Sequence, residues 1–73
     1  MKDFCERFSE LRREKALSYQ EIADYLKLGE RSIRYYESGE RRPDFEGLLA
    51  LAQYFEVSLD YLVGRTDKRE INR

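Results

Sequence analysis

The chain has no histidine and no tryptophan, and only one cysteine, one methionine and one proline among 73 residues. Each scarcity excludes something. A single cysteine cannot close an internal disulfide, so stability must come from a packed core or a partner. Without histidine, and with one cysteine, the usual zinc sites are excluded. So are the usual histidine-based acid–base and nucleophile arrangements. Gly29 and Gly39 stand alone, so no phosphate-cradling glycine loop is present. The chain is therefore not expected to be an enzyme or to hold a metal or cofactor. No apolar run is long enough to span a membrane, and the first turns are dense in charge rather than built as a secretory leader. This reads as a soluble intracellular chain with no membrane partner. Excess charge of one sign is missing too: 14 basic residues face 15 acidic ones, for a net charge of -1. Taken whole, that gives no sign of a polyanion partner.

What is present is a composition that folds. Hydrophobic residues make up 41% and aromatics 14%, and the charges balance, whereas disordered chains lack aromatics and carry uncompensated charge. The length allows one domain, near the lower limit for folding without staples.

Apolar spacing is helical almost throughout. Phe4, Phe8 and Leu11 predict a first helix over about 3–15. Ser18 and Glu21 form a capping-box pattern ahead of Ile22, Ala23 and Leu26, which predicts a second helix over 19–26. Glu30 to Glu37 carries Ile33 and Tyr36 on one face, with Gly39 as its stop. Pro43 lies in the following loop. Asp44 is a good N-cap for a fourth helix to about 55, on a stripe of Phe45, Leu48, Leu49, Ala52 and Phe55. Ser58 caps a short fifth helix with Leu59, Leu62 and Val63, closed by Gly64. Residues 65–73 form a polar tail expected to fray or extend as an arm. Helices this short are marginal alone. They require one shared core of Ile22, Leu26, Ile33, Tyr36, Leu48, Leu49, Ala52, Leu59 and Leu62. The fold class is therefore all-α, with a domain over residues 1–64. The brief connection Lys27–Gly29 suits a bent helix-turn-helix unit.

The run from Leu17 to Gly39 resembles the DNA-binding domain of phage-repressor-like (Cro/CI-type, XRE) transcriptional regulators. The similarity continues through Arg41-Arg42-Pro43-Asp44 and Val57 to Gly64, covering about residues 4–64. Ala23 matches the small residue at the approach of helices 2 and 3, and Ile33 the buried aliphatic of the recognition helix. Tyr36-Glu37-x-Gly39 matches the family's ending of that helix. Lys27, Tyr19 and Gly29 depart from the usual glycine, glutamine and Ser/Thr at their positions.

The resemblance implies a compact five-helix repressor-like domain, with helix 3 in the major groove. It implies a sequence-specific regulator of double-stranded DNA, most often a repressor binding a palindromic operator as a dimer, in a prokaryotic cytoplasm or encoded by a phage. Ile33 and Tyr36 face the core, so Glu30, Arg31, Arg34 and Tyr35 are the candidates for base contacts. Ser18, Tyr19 and Gln20, with Ser38, Arg41 and Arg42, are the candidates for the DNA backbone. Arg12 and Glu37 match a structural ion pair anchoring helix 3 to helix 1. Leu51, Tyr54 and Tyr61 lie off the expected core stripes and are candidates for a homodimer surface. Residues 27–42 hold five basic and three acidic side chains, whereas 43–60 hold four acidic and no basic ones, so the near-neutral chain is polarised. Acidic Glu30 keeps a second reading open: a protein-interaction module on the same fold.

Overall fold

The computed structural model describes residues 2–71. It contains α1 (Phe4–Glu14), α2 (Tyr19–Leu26), α3 (Glu30–Ser38), α4 (Phe45–Phe55) and α5 (Leu59–Leu62), with no strand among the described residues. None of these helices is long and apolar enough to cross a membrane. Local chemistry sets most of the starts. Asp3, Ser18, Asp44 and Ser58 each accept an amide N–H from the first turn of the helix that follows. Ser18 and Glu21 close the full capping box. Gly29 starts α3 without any side-chain cap.

The core is Phe8, Leu11, Ile22, Ala23, Ile33, Leu51, Phe55 and Leu62, with Phe4, Ala52, Val57 and Tyr61 beside it. Phe8 meets Phe55 and Tyr36 edge to face, at centroid distances of 5.9 and 6.5 Å. That contact joins α1 to both α3 and α4. α2 and α3 meet across the turn at Lys27, whose φ of 60° is left-handed. The Leu28 amide donates to Ala23 O at 2.9 Å and closes the α2 end. A lysine in that conformation costs roughly 1 kcal/mol, and the fold absorbs it.

Two expectations are corrected. On α4 the buried stripe is Leu51, Ala52 and Phe55, while Leu49 is 42% and Phe45 65% exposed. The helix is apolar at so many positions that two stripes, offset by part of a turn, are possible. Packing selected the one that places Leu51 inward. Leu51 is therefore core, not a surface for a second copy.

The second correction concerns the tail. Residues 65–71 fold back along α5 and α1 instead of extending. Arg69 O accepts from the Ser58 amide at 2.8 Å, and Arg69 also reaches Tyr61 Oη and Glu14. Arg7, 5% exposed, donates to Asp67 at 2.7 Å with its guanidinium 4.0 Å over the Tyr61 ring. Burial opposes the Arg7 charge, and Asp67 and Tyr61 outweigh it. Two arginines thus cover Tyr61, which is 4% exposed and closed to a dimer surface. Tyr54 is half-buried and packs on the Tyr25 ring at 4.4 Å. Positions 72 and 73 of the expected tail lie outside the described residues.

Gly64 has a φ of +86°, and a Cβ there would lie 2.0 Å from the Lys2 carbonyl oxygen. Gly29 has an ordinary φ of -81° and open space around it. Gly64→Ala is therefore expected to cost about 1–3 kcal/mol. Gly29→Ser should add the missing cap and gain about 0.3 kcal/mol. Urea unfolding of both variants checks this pair, and equal effects would contradict the backbone account.

Candidate nucleic-acid interface

The outward face of α3 is positioned by one carboxylate. Glu37 sits near the C-terminal end of α3, with its side chain 17% exposed. Arg12 of α1 donates from Nε to Glu37 Oε1 at 2.6 Å and from Nη2 to Oε2 at 3.3 Å. The Tyr19 hydroxyl of α2 donates to the same Oε2. Arg12 Nη1 also reaches Leu17 O at 3.2 Å, holding the connection between α1 and α2. Three helices therefore meet on Glu37. Burial alone would raise its carboxyl; the hydrogen bonds from Arg12 and Tyr19 outweigh that and hold it below its ordinary 4.5. Glu37 in turn raises Arg12 and Tyr19, so both keep their protons.

With Ile33 buried beneath, Glu30, Arg31, Arg34 and Tyr35 lie on the other side of α3. Arg31 is exposed and pairs with no acidic side chain among the described residues. Arg34 donates from Nη2 to Glu30 Oε1 at 2.9 Å, one turn back along the helix. Its guanidinium also lies 5.1 Å over the Tyr19 ring. Tyr35 is half-buried, and the Arg41 guanidinium covers its ring at 5.1 Å. Glu30 and Arg34 thus form one contact pair on this side, and Tyr35 and Arg41 a second.

The backbone-contact candidates divide into two groups. Arg41 and Arg42 are exposed in the loop after α3. The others have their side-chain donors already engaged. Ser18 Oγ donates to Glu21, Gln20 Nε2 to Asp24 at 2.8 Å, and Ser38 Oγ to Tyr35 O at 3.2 Å. Tyr19 is committed to Glu37. What α2 leaves for an anion is its first backbone amides, at the positive end of the helix. The Tyr35 carbonyl accepts from Ser38 Oγ and from the Gly39 and Arg41 amides, which fixes the loop that carries Arg41. Sequence reasoning did not find the role of Tyr19. It is the link between the Glu37 anchor and Arg34, and its aromatic ring at a position where the family usually has glutamine was the available signal.

Cys5 donates to Asp3 Oδ1 at 3.2 Å, and that bond with burial raises the thiol. It is not an activated nucleophile. Among the described residues no cluster of three or more metal-ligating side chains occurs.

Glu37→Gln is expected to cost about 1.5–3 kcal/mol, as for a charged hydrogen bond left half made. Because the folded carboxyl lies below its unfolded value, its contribution is present above pH 4.5 and is lost as the pH falls further. Unfolding curves between pH 3 and 7 check both statements. The wild-type chain should lose stability more steeply than Glu37→Gln below pH 4.5, and parallel curves would contradict the anchor.

The helix-turn-helix family pattern matches residues 8–62. The chain is 40% identical over 65 residues to the HTH-type transcriptional regulator AnsR of Bacillus subtilis, covering 89% of this chain and 56% of that one. The crystal structure of a transcriptional regulator from Listeria innocua superposes with a TM-score of 0.83 at 44% identity, over 86% of this chain and 59% of that one. The P22 c2 repressor in complex with a synthetic operator superposes with a TM-score of 0.82 at 24% identity, over 90% of this chain and all of that one, a likeness of fold. The chain spans about half the length of the curated relatives it matches. With α2 and α3 joined by a three-residue turn and locked through Glu37, the chain belongs to the helix-turn-helix family of transcriptional regulators.

Proposed function

We propose that the chain binds double-stranded DNA sequence-specifically as a transcriptional repressor, with α3 in the major groove. The carrying observation is the outer face of α3. Arg31, Arg34 and Tyr35 project from a helix that is fixed to α1 and α2 through Glu37, with Arg41 packed on Tyr35. Rigid presentation of a few long donors is what base-edge reading requires. Arg41, Arg42 and the first amides of α2 contact phosphates, giving register and a salt-dependent affinity. Arg12 and Glu37 stay paired with each other. Glu30 does not argue for a protein partner, because its charge is compensated within α3 by Arg34. The setting is the cytoplasm of a bacterial cell, or a phage-infected one.

The domain acts as a dimer on an inverted repeat. Its surface is the apolar face that Leu51 and Tyr61 do not supply. Phe45 and Leu49 are exposed one turn apart on α4. Leu49, Leu59 and Ile71 line one shallow groove. Asp60 lines the same groove, and in the adjoining depression it stands with Lys68, opposite charges that a two-fold axis can pair.

Selection from a pool of random duplexes should return an inverted repeat with half-sites about 10 bp apart, centre to centre. Arg31→Ala or Arg34→Ala should weaken binding to that duplex by about 1–3 kcal/mol and relax one position each. Leu49→Glu should abolish cooperative binding to the full site and leave half-site binding in place. Recovery of no enriched sequence would overturn the DNA-binding reading, and unchanged cooperativity would overturn the dimer surface.

A further inference from the structure

We propose that Glu30 and Arg34 read one G·C base pair as a single unit, and that Glu30 sets selectivity by withholding Arg34 from phosphate. This rests on the DNA-binding reading of α3 and goes beyond it, since Glu30 otherwise is an acidic residue on a surface meant for a polyanion.

The geometry supports a unit instead of two independent side chains. Arg34 Nη2 and Glu30 Oε1 are 2.9 Å apart, and both side chains remain open to the outside, 62% and 41% exposed. The Arg34 guanidinium lies on the Tyr19 ring. That ring is itself held, because its hydroxyl donates to Glu37 and the Arg12 guanidinium covers it at 4.5 Å. Arg34 is thus fixed from two directions, by a carboxylate and by an immobilised aromatic face.

The pair keeps free valences in a defined order. A guanidinium has five N–H donors and spends one on Glu30. The carboxylate keeps acceptor positions for a further donor. In the major groove a G·C pair presents two acceptors, N7 and O6 of guanine, followed by one donor, N4 of cytosine. Guanidinium donors beside a carboxylate acceptor complement that order. An A·T pair places the adenine N6 donor where the unit also donates. Phosphate presents only negatively charged acceptors, so Glu30 opposes any phosphate that would take Arg34. The unit therefore favours one base pair and disfavours bulk electrostatic attachment.

The test compares the wild-type chain with Glu30→Gln and Arg34→Ala. Glu30→Gln keeps the side-chain length and good helix propensity. Binding is measured on three probes: the duplex the wild type selects, that duplex with the Arg34-dependent G·C pair changed to A·T, and a random duplex. Glu30→Gln should bind the random duplex several-fold more tightly, with a log–log salt slope steeper by about 0.9, one phosphate contact. Its preference for G·C over A·T at that position should fall about tenfold. Arg34→Ala should lose the preference at the same base pair. The inference is overturned if Glu30→Gln leaves the preference unchanged, weakens all probes equally, or affects a different base pair from Arg34→Ala. If the wild type selects a duplex and these variants behave so, only the reading unit fails. If the wild type selects none, the DNA-binding reading fails with it.

Discussion

The Glu37 carboxylate is the point on which the orientation of α3 depends. Hydrophobic burial holds the helices together but is non-directional. Ile33 under α3 and Phe8 between α1 and α4 would tolerate some rotation of α3 about its axis. The bidentate bond from Arg12 and the hydroxyl of Tyr19 do not. A largely buried carboxylate with one partner removed costs far more than the pair gains, so the three groups act as an all-or-none latch. The latch ties α1 and α2 to the end of α3 and leaves the start of α3 facing outward. The departure at Tyr19 is then a gain: it closes the latch on one side and supports Arg34 on the other.

The near-zero net charge takes on a different meaning in this light. Charge is distributed by internal pairing rather than by excess. Glu30 neutralises Arg34, Glu37 neutralises Arg12, and Asp67 and Glu14 neutralise the arginines that cover Tyr61. Among the described residues Arg31, Arg41 and Arg42 make no salt bridge. Such a surface attracts DNA weakly from a distance and depends on fitted contacts, which suits discrimination better than raw affinity.

Much of the fold was legible in the sequence, for local reasons. N-caps at Asp44, Ser18 and Ser58, and stops at Gly39 and Gly64, are written within four residues of the helix ends they set. The α3 face was legible because Ile33 and Tyr36 define its buried side. Two features were not. The rotation of α4 was ambiguous because Leu48, Leu49, Leu51 and Ala52 permit more than one apolar stripe. The tail was misread because its anchors are distant: Asp67 reaches Arg7 and Arg69 reaches Glu14, and nothing local marks a polar segment as the cover for a buried arginine. The engaged hydroxyls and amide of Ser18, Ser38 and Gln20 were hidden for a related reason. Side-chain types able to reach a phosphate are equally able to satisfy neighbouring groups in their own helix ends, and here they do.

The most direct measurement of the central claim is a titration of an unlabelled DNA duplex into nitrogen-15-labelled protein, following every backbone amide by NMR. The largest shifts are expected on residues 18–20, 30–35 and 38–42, while the signals around Arg12 and Glu37 show the latch intact. Shifts centred on α4 and α5, or a latch that opens on binding, would contradict it.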